Sequence, residues 1–307
     1  MFGWLNGGGS KPGWLAVSLD AGAVAFAHAR RARGARARVS AYGTRPLDES
    51  RRGLERLKRE LGIGRYQCST MLRAGEYDLV LVDAPGVPRA ELKSALRWKV
   101  KDMVDYPIDE ATVDFLEIPP QEPGAAARQL YAVLARNQAI EACVRRFDDA
   151  GIALRVIEIP DTAQRNIAAL YEQDGRGMAL LYLGSDWGLI TVSCQGELYL
   201  SRRLDLGMDA VGAEGADRDA LERVALEVQR TFDHFERQFR YVAIGELLLA
   251  PTGAPSGLPQ LLQERFPVQV RAIDLTEVLA FDGVAPDATA QWRLFHQFGA
   301  ALREGSS

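Results

Sequence analysis

The sequence predicts an α/β protein of two lobes, the first carrying a small inserted α-β-β-α-β unit. Three observations lead there. A meander of three apolar strands opens the chain and recurs after residue 178, and each copy runs into a tight turn with glycine. The turns are Asp20-Ala-Gly22 in the first and Tyr182-Leu-Gly184 in the second. Residues 88–159 read as a separate compact unit between the meanders. A length of 307 residues suits about two domains.

Residues 14–20, 23–31 and 36–42 form the first meander, with Gly34 at its second turn. Arg30, Arg31, Arg33, Arg36 and Arg38 crowd this hairpin, as charges that keep an edge strand from pairing with another chain. Contact with anionic lipid or an acidic partner is the alternative. Ahead of the meander, the run of three glycines and Ser10 reads as a flexible leader, with Phe2, Trp4 and Leu5 before it. Pro46 precedes a helix in which Leu47, Leu54, Leu57 and Leu61 recur at helical spacing. Strands at 67–72 and 77–82 follow, and Asp83-Ala-Pro-Gly ends the second in a turn.

The inserted unit runs helix 88–104, strands 112–118 and 129–135, helix 138–150 and strand 154–159. Pro88 suits a first helical turn and Gly151 a helix C-terminus. Leu92, Leu96, Val100 and Met103 recur at the spacing of one helix face, against the unit's sheet. Asp161 is a fitting N-cap for a helix to 171. Strands at 179–183, 189–194 and 198–204 make the second meander. A helix over 217–241 sets Leu221, Val224, Val228, Phe232, Phe235 and Phe239 in one stripe, the pattern of core packing. A strand at 246–249, a loop at 250–257, a helix at 258–266, a strand at 268–272 and a helix at 288–303 complete the chain. The expected division is a first lobe over 1–177 with its insertion at about 86–159, and a second lobe over 178–275. C-terminal helices over 276–307 pack back on the first lobe.

Composition narrows the function. A net charge of −4 argues against a nucleic-acid binder. No apolar run approaches the roughly 18 residues that span a bilayer, and no apolar core of a secretory signal stands at the start. Cys68, Cys143 and Cys194 are too scattered for a redox pair or zinc knuckle, which fits a reducing cytoplasm. There is no Gly-Lys of a phosphate-binding P-loop and no GxSxG elbow. His28, His234 and His296 lack metal-ligand spacing.

Three segments together carry a resemblance. They are Phe2-Gly-Trp-Leu with the strand ending Asp20-Ala-Gly22, the run Ala95-Leu-Arg-Trp-Lys-Val-Lys-Asp-Met-Val-Asp-Tyr-Pro-Ile-Asp-Glu110, and Leu226-Glu-Val-Gln-Arg-Thr-Phe-Asp-His-Phe-Glu236. The chain resembles the PilM-like pilus assembly proteins, and its second segment the MshI branch of the mannose-sensitive haemagglutinin pilus. The resemblance implies an actin-like (ribonuclease H-like) fold, with two lobes across a cleft. It implies a cytoplasmic protein at the inner-membrane face, whose contact with the membrane is indirect. Its partner would be the cytoplasmic tail of a single-pass, PilN-like inner-membrane pilus protein, docked between the first lobe and the inserted unit. Trp98, Tyr106 and Pro107 are the candidate anchors.

The resemblance also implies a cleft for ATP with Mg, whose first phosphate turn falls on Asp20, Ala21, Gly22 and Ala23. The family's serines after the glycine are replaced here by Ala23 and Val24. The second turn falls on Gly184, Ser185 and Asp186. Tyr182 stands where the family has an acid, and Asp186 is the candidate substitute. The adenosine turn falls on Thr252 and Gly253, with one glycine of the usual pair. The expectation is a scaffold with a degenerate cleft and no catalytic residues. An actin-like ATPase switch, or the cytoplasmic domain of a type II secretion protein, are the alternatives; the last ranks lower because no span precedes Ser307.

Overall fold

The computed structural model describes residues 11–20, 22–32, 34–48, 51–120, 128–172, 175–211, 218–252 and 257–304. The expected leader with Phe2, Trp4 and Leu5 lies outside them. The first meander is β1 (Lys11–Asp20), β2 (Ala23–Ala32) and β3 (Ala35–Pro46). After α1 (Arg51–Leu61), β4 (Tyr66–Met71) adds to β1 in parallel. Then come β5 (Tyr77–Asp83), α2 (Leu92–Val100), β6 (Ala111–Glu117), β7 (Gln129–Arg136), α3 (Asn137–Asp149) and β8 (Leu154–Glu158). Helix α4 (Pro160–Ala168) leads to the second meander, β9 (Gly177–Leu183), β10 (Gly188–Cys194) and β11 (Glu197–Leu204). The rest is α5 (Met208–Val211), α6 (Arg218–Gln238), β12 (Ile244–Leu249), α7 (Leu258–Arg265), β13 (Gln269–Ala272), β14 (Leu279–Phe281), α8 (Ala288–Arg293) and α9 (Phe295–Ala301).

The two main sheets share one plan. In the first, the order runs β3-β2-β1-β4-β8; in the second it runs β11-β10-β9-β12-β13. Each is an antiparallel meander extended by two parallel strands. Beyond this shared plan, β14 adds in parallel outside β3. So β3 is not the free edge that its arginines suggested. Arg38 instead ion-pairs with Asp282 just after β14, and Arg31 meets Glu304 at 2.5 Å. A strand of three residues is too short to show a period in sequence.

The inserted unit is drawn differently from its expected bounds. Its sheet is β5-β7-β6, so β5 belongs to it, whereas β8 pairs with β4 in the main sheet. Helix α3 also serves the main lobe. Its Phe147 is fully buried with Leu15, Val17, Phe26, Leu57 and Cys68. The run Leu79-Val80-Leu81-Val82 explains why β5 passes for a main-sheet strand. Val80 and Val82 pack under α2, while Leu79 and Leu81 pack on the core of the second lobe. A strand covered on both faces loses its period-two pattern.

Helix α2 buries Leu92, Leu96 and Val100 and ends there. Met103 therefore leaves the expected face and is half exposed at 52%. The last predicted helix is two, α8 and α9, broken at Leu294. Substituting Phe147→Ala is expected to cost about 3–5 kcal/mol of stability, read by urea unfolding. A cost below about 1 kcal/mol would detach α3 from the main-lobe core.

Candidate functional site: the cleft and the inserted module

Between the lobes lies a cavity of about 370 Å³ that brings together Asp20, Tyr182, Asp186 and Trp187 with Arg203 and His296. Asp20 ends β1 opposite Ala23 and is exposed. Ala21 lies outside the described residues. Gly22 has φ 72°, a left-handed turn that glycine adopts at no steric cost. No atom lies within 4 Å of where its Cβ would stand. The turn, and not a close backbone approach, therefore explains this glycine.

The second turn is tied up by the protein itself. The Gly184 amide donates to the Trp187 carbonyl at 2.8 Å. The Gly184 and Ser185 carbonyls accept from the Met208 and Asp209 amides at 2.7 and 2.8 Å. Ser185 and Asp186 are exposed. Tyr182, where an acid is expected by resemblance, is buried in an aromatic cluster. Its ring stacks on Phe295 at 5.3 Å and meets the His296 imidazole at 4.4 Å. Burial pushes its phenol well above the usual range. The Trp187 indole stacks on His296 at 5.8 Å and carries the Arg203 guanidinium at 5.9 Å. Thr252 is half buried and does not line this cavity, and Gly253 lies outside the described residues. The structure thus brings Asp20 to Asp186 but does not bring Thr252 with them.

Arg73, Arg203, Arg293 and His296 line the same cavity and escaped sequence reasoning. Their signal is weak because they come from three separate segments, Arg293 and His296 sharing the last one. Arg73 is held by Glu76, with a 2.9 Å contact from Nε. His296 is buried, and its Nε2 has no hydrogen-bond partner. Desolvation pushes its pKa down to about 3, so the imidazole stays neutral at ordinary pH.

A second constellation joins three parts of the fold. Asp161 on α4 is buried and accepts hydrogen bonds from the Tyr77 hydroxyl of β5 and the Ser201 hydroxyl of β11. Burial raises its pKa, while the Ser201 and Tyr77 hydroxyls pull it down. The expected cap role is overtaken by this contact: α4 starts at Pro160, with no side-chain cap.

On the inserted module, Trp98 is 78% exposed. Tyr106 is not at the rim as expected; it is buried, donates to the Asp78 carboxylate at 3.1 Å and lies under the Arg136 guanidinium. Pro107 is exposed. A groove of about 320 Å³ runs between α2, β6 and the start of α3, lined by Arg97, Thr112 and Asn137. Arg97 is fixed there by donating to the Ala111 and Ile108 carbonyls at 2.7 and 2.8 Å. No group of metal-ligand side chains and no membrane-length apolar helix occurs among the described residues.

Comparison with solved structures identifies the class. The chain has the actin-like ATPase fold, α/β in class. It is similar to a chain of a PilM–PilN type IV pilus biogenesis complex, with 19% identity and a TM-score of 0.71, covering 94% of this chain and 96% of that one. It is also similar to a Bacteroides thetaiotaomicron protein of actin-like ATPase fold and unknown function, with 11% identity and a TM-score of 0.51, covering 90% and 96%. The cytoplasmic domain of EpsL, an inner-membrane component of the Vibrio cholerae type II secretion system, has 14% identity and a TM-score of 0.49, covering 95% and 98%. No protein-family model and no curated protein matches the sequence.

The buried His296 makes stability pH-dependent. Below about pH 6.5 the unfolded chain takes up this proton and the folded chain does not. Stability present above that pH is therefore lost as pH falls, by up to about 1.4 kcal/mol per unit. Urea unfolding at two pH values between about 5 and 7 should show a shallower loss in His296→Phe than in the wild type.

Proposed function

We propose that the chain is a scaffold of a type IV pilus assembly platform, of the mannose-sensitive haemagglutinin (MshI) kind. Its inserted module binds the cytoplasmic tail of a single-pass, PilN-like inner-membrane protein, and its own contact with the inner-membrane face is through that partner. The observation that carries the reading is Trp98. A large aromatic side chain stands 78% exposed on α2, the helix whose Lys93, Ser94 and Arg97 line a groove in which the Arg97 guanidinium is held in place. Exposed amphipathic aromatics beside such grooves serve as interface anchors. The whole-length likeness to a chain of a PilM–PilN complex supports the choice of partner. Pro107 is kept as a candidate contact; Tyr106 acts from behind, by packing.

The cleft supports a scaffold over an ATPase. Tyr182 is locked in an aromatic stack, and the carbonyls of the following turn are spent on α5. Asp20 and Asp186 remain on the cavity wall as the residues toward which Mg·ATP would have to turn. Hydrolysis is not part of the proposed role.

Trp98→Ala is expected to keep the melting temperature of the wild type and to weaken binding of a PilN-like tail about tenfold or more, read by fluorescence polarisation. Unchanged binding would remove this surface from the reading. Calorimetry with Mg·ATP is expected to give no saturable heat below about 1 mM. Micromolar binding that vanishes in Asp20→Ala would replace the scaffold with a nucleotide switch.

A further inference from the structure

A second groove, of about 410 Å³, lies on the other lobe, where the end of β11 meets α6. Four arginines line it, Arg202, Arg203, Arg223 and Arg230, against two acids, Asp205 and Glu227. The Glu227 carboxylate bridges two of them, meeting Arg202 and Arg230 at 2.6 Å each. Each guanidinium has five N–H donors in a rigid fork, so this bridge orders both groups and leaves further donors on each. Arg223 is exposed and has no acidic partner among the described residues. Between them Leu226 stands 44% exposed.

The backbone here is also unspent. β11 is the edge of its sheet. The inserted module covers the first half of that edge: the Tyr131 hydroxyl donates to the Tyr199 carbonyl at 3.1 Å and lies near the Ser201 amide. Amides of alternate residues face the same side of a strand. The Arg203 amide therefore faces the same open side, beyond the reach of Tyr131. An edge of this kind takes another strand through main-chain hydrogen bonds, with side-chain pockets setting the choice.

We propose that this groove binds an extended acidic peptide segment of a partner protein, added as a strand along Arg203. Its carboxylates lie against Arg202, Arg223 and Arg230, and an apolar side chain covers Leu226. Charge complementarity selects the occupant: the guanidinium groups of Arg202, Arg223 and Arg230 stand here against Asp205 and Glu227, the Arg203 guanidinium being turned to Trp187, and planar guanidinium forks match carboxylates. The site is independent of the inserted module's groove, so a scaffold built this way holds two partners at once.

A random octapeptide library selected on the intact protein, with counter-selection on Arg223→Glu, tests this. Selected peptides should be rich in Asp and Glu with β-branched residues between. A fluorescein-labelled peptide from the selection should bind saturably and weaken with salt. Binding should be about tenfold weaker to Arg223→Glu and to Leu226→Asn, both exposed sites where melting temperature should hold. Amide exchange at Arg203 should slow on binding, and Trp98→Ala should leave binding unchanged. Selection of neutral or basic peptides, equal binding to Arg223→Glu, or unchanged exchange at Arg203 would each overturn the proposal.

Discussion

The fold depends on how closely α9 can approach α4. A Cβ on Gly299 would stand 2.1 Å from the Ala163 carbonyl oxygen, so only glycine permits this crossing. The Asn166 amide then donates to the Gly299 carbonyl at 3.0 Å. Around the crossing, Ile167, Phe295, Phe298, Leu180 and Leu248 form one core drawn from both lobes. The C-terminal helix is thus the seam between the lobes. On the other side of α4, the Gln164 amide nitrogen meets the Leu180 and Leu189 carbonyls and the Thr191 hydroxyl. The buried Gln164 amide nitrogen, shared among three acceptors, thus ties the helix to the sheet, while its Oε1 has no partner among the described residues.

That docking decides the character of the cleft. α9 begins at Phe295 and His296, directly beneath Tyr182. Trp292 donates to the Leu183 carbonyl at 2.7 Å. The packing that joins the lobes therefore supplies the aromatic wall of the cavity. A ligand entering here meets a neutral imidazole and a stacked indole, and charge enters only at the rim, through Asp20, Asp186 and the arginines.

Much of this was legible in the sequence. The repeated meander announces the paired sheets, because both copies carry apolar strands and glycine turns. The α6 stripe reads as core since Val224, Val228, Phe232 and Phe235 keep one helical period. The inserted module was legible as a unit but not in its membership. Nothing local in β5 says that its two faces meet different bodies, and nothing in α3 says that Phe147 points to the main lobe. Asp20 and Asp186 were singled out through the resemblance, from the turns that carry them, and one cavity brings them together. His296, Arg203 and Arg73 were not, since they meet only through the sheet order. Tyr106 misled for a simpler reason: an amphipathic aromatic looks alike in sequence whether its hydroxyl meets water or Asp78.

The buried Asp161 gives the molecule a mechanical property. Tyr77 belongs to the module, Asp161 to the connecting helix and Ser201 to the second lobe. With Leu79, Leu81 and Tyr131 pressed on the second-lobe core, the module works as a diagonal brace across the frame. Swinging the two lobes apart would first have to uncover a carboxyl that now lies dry.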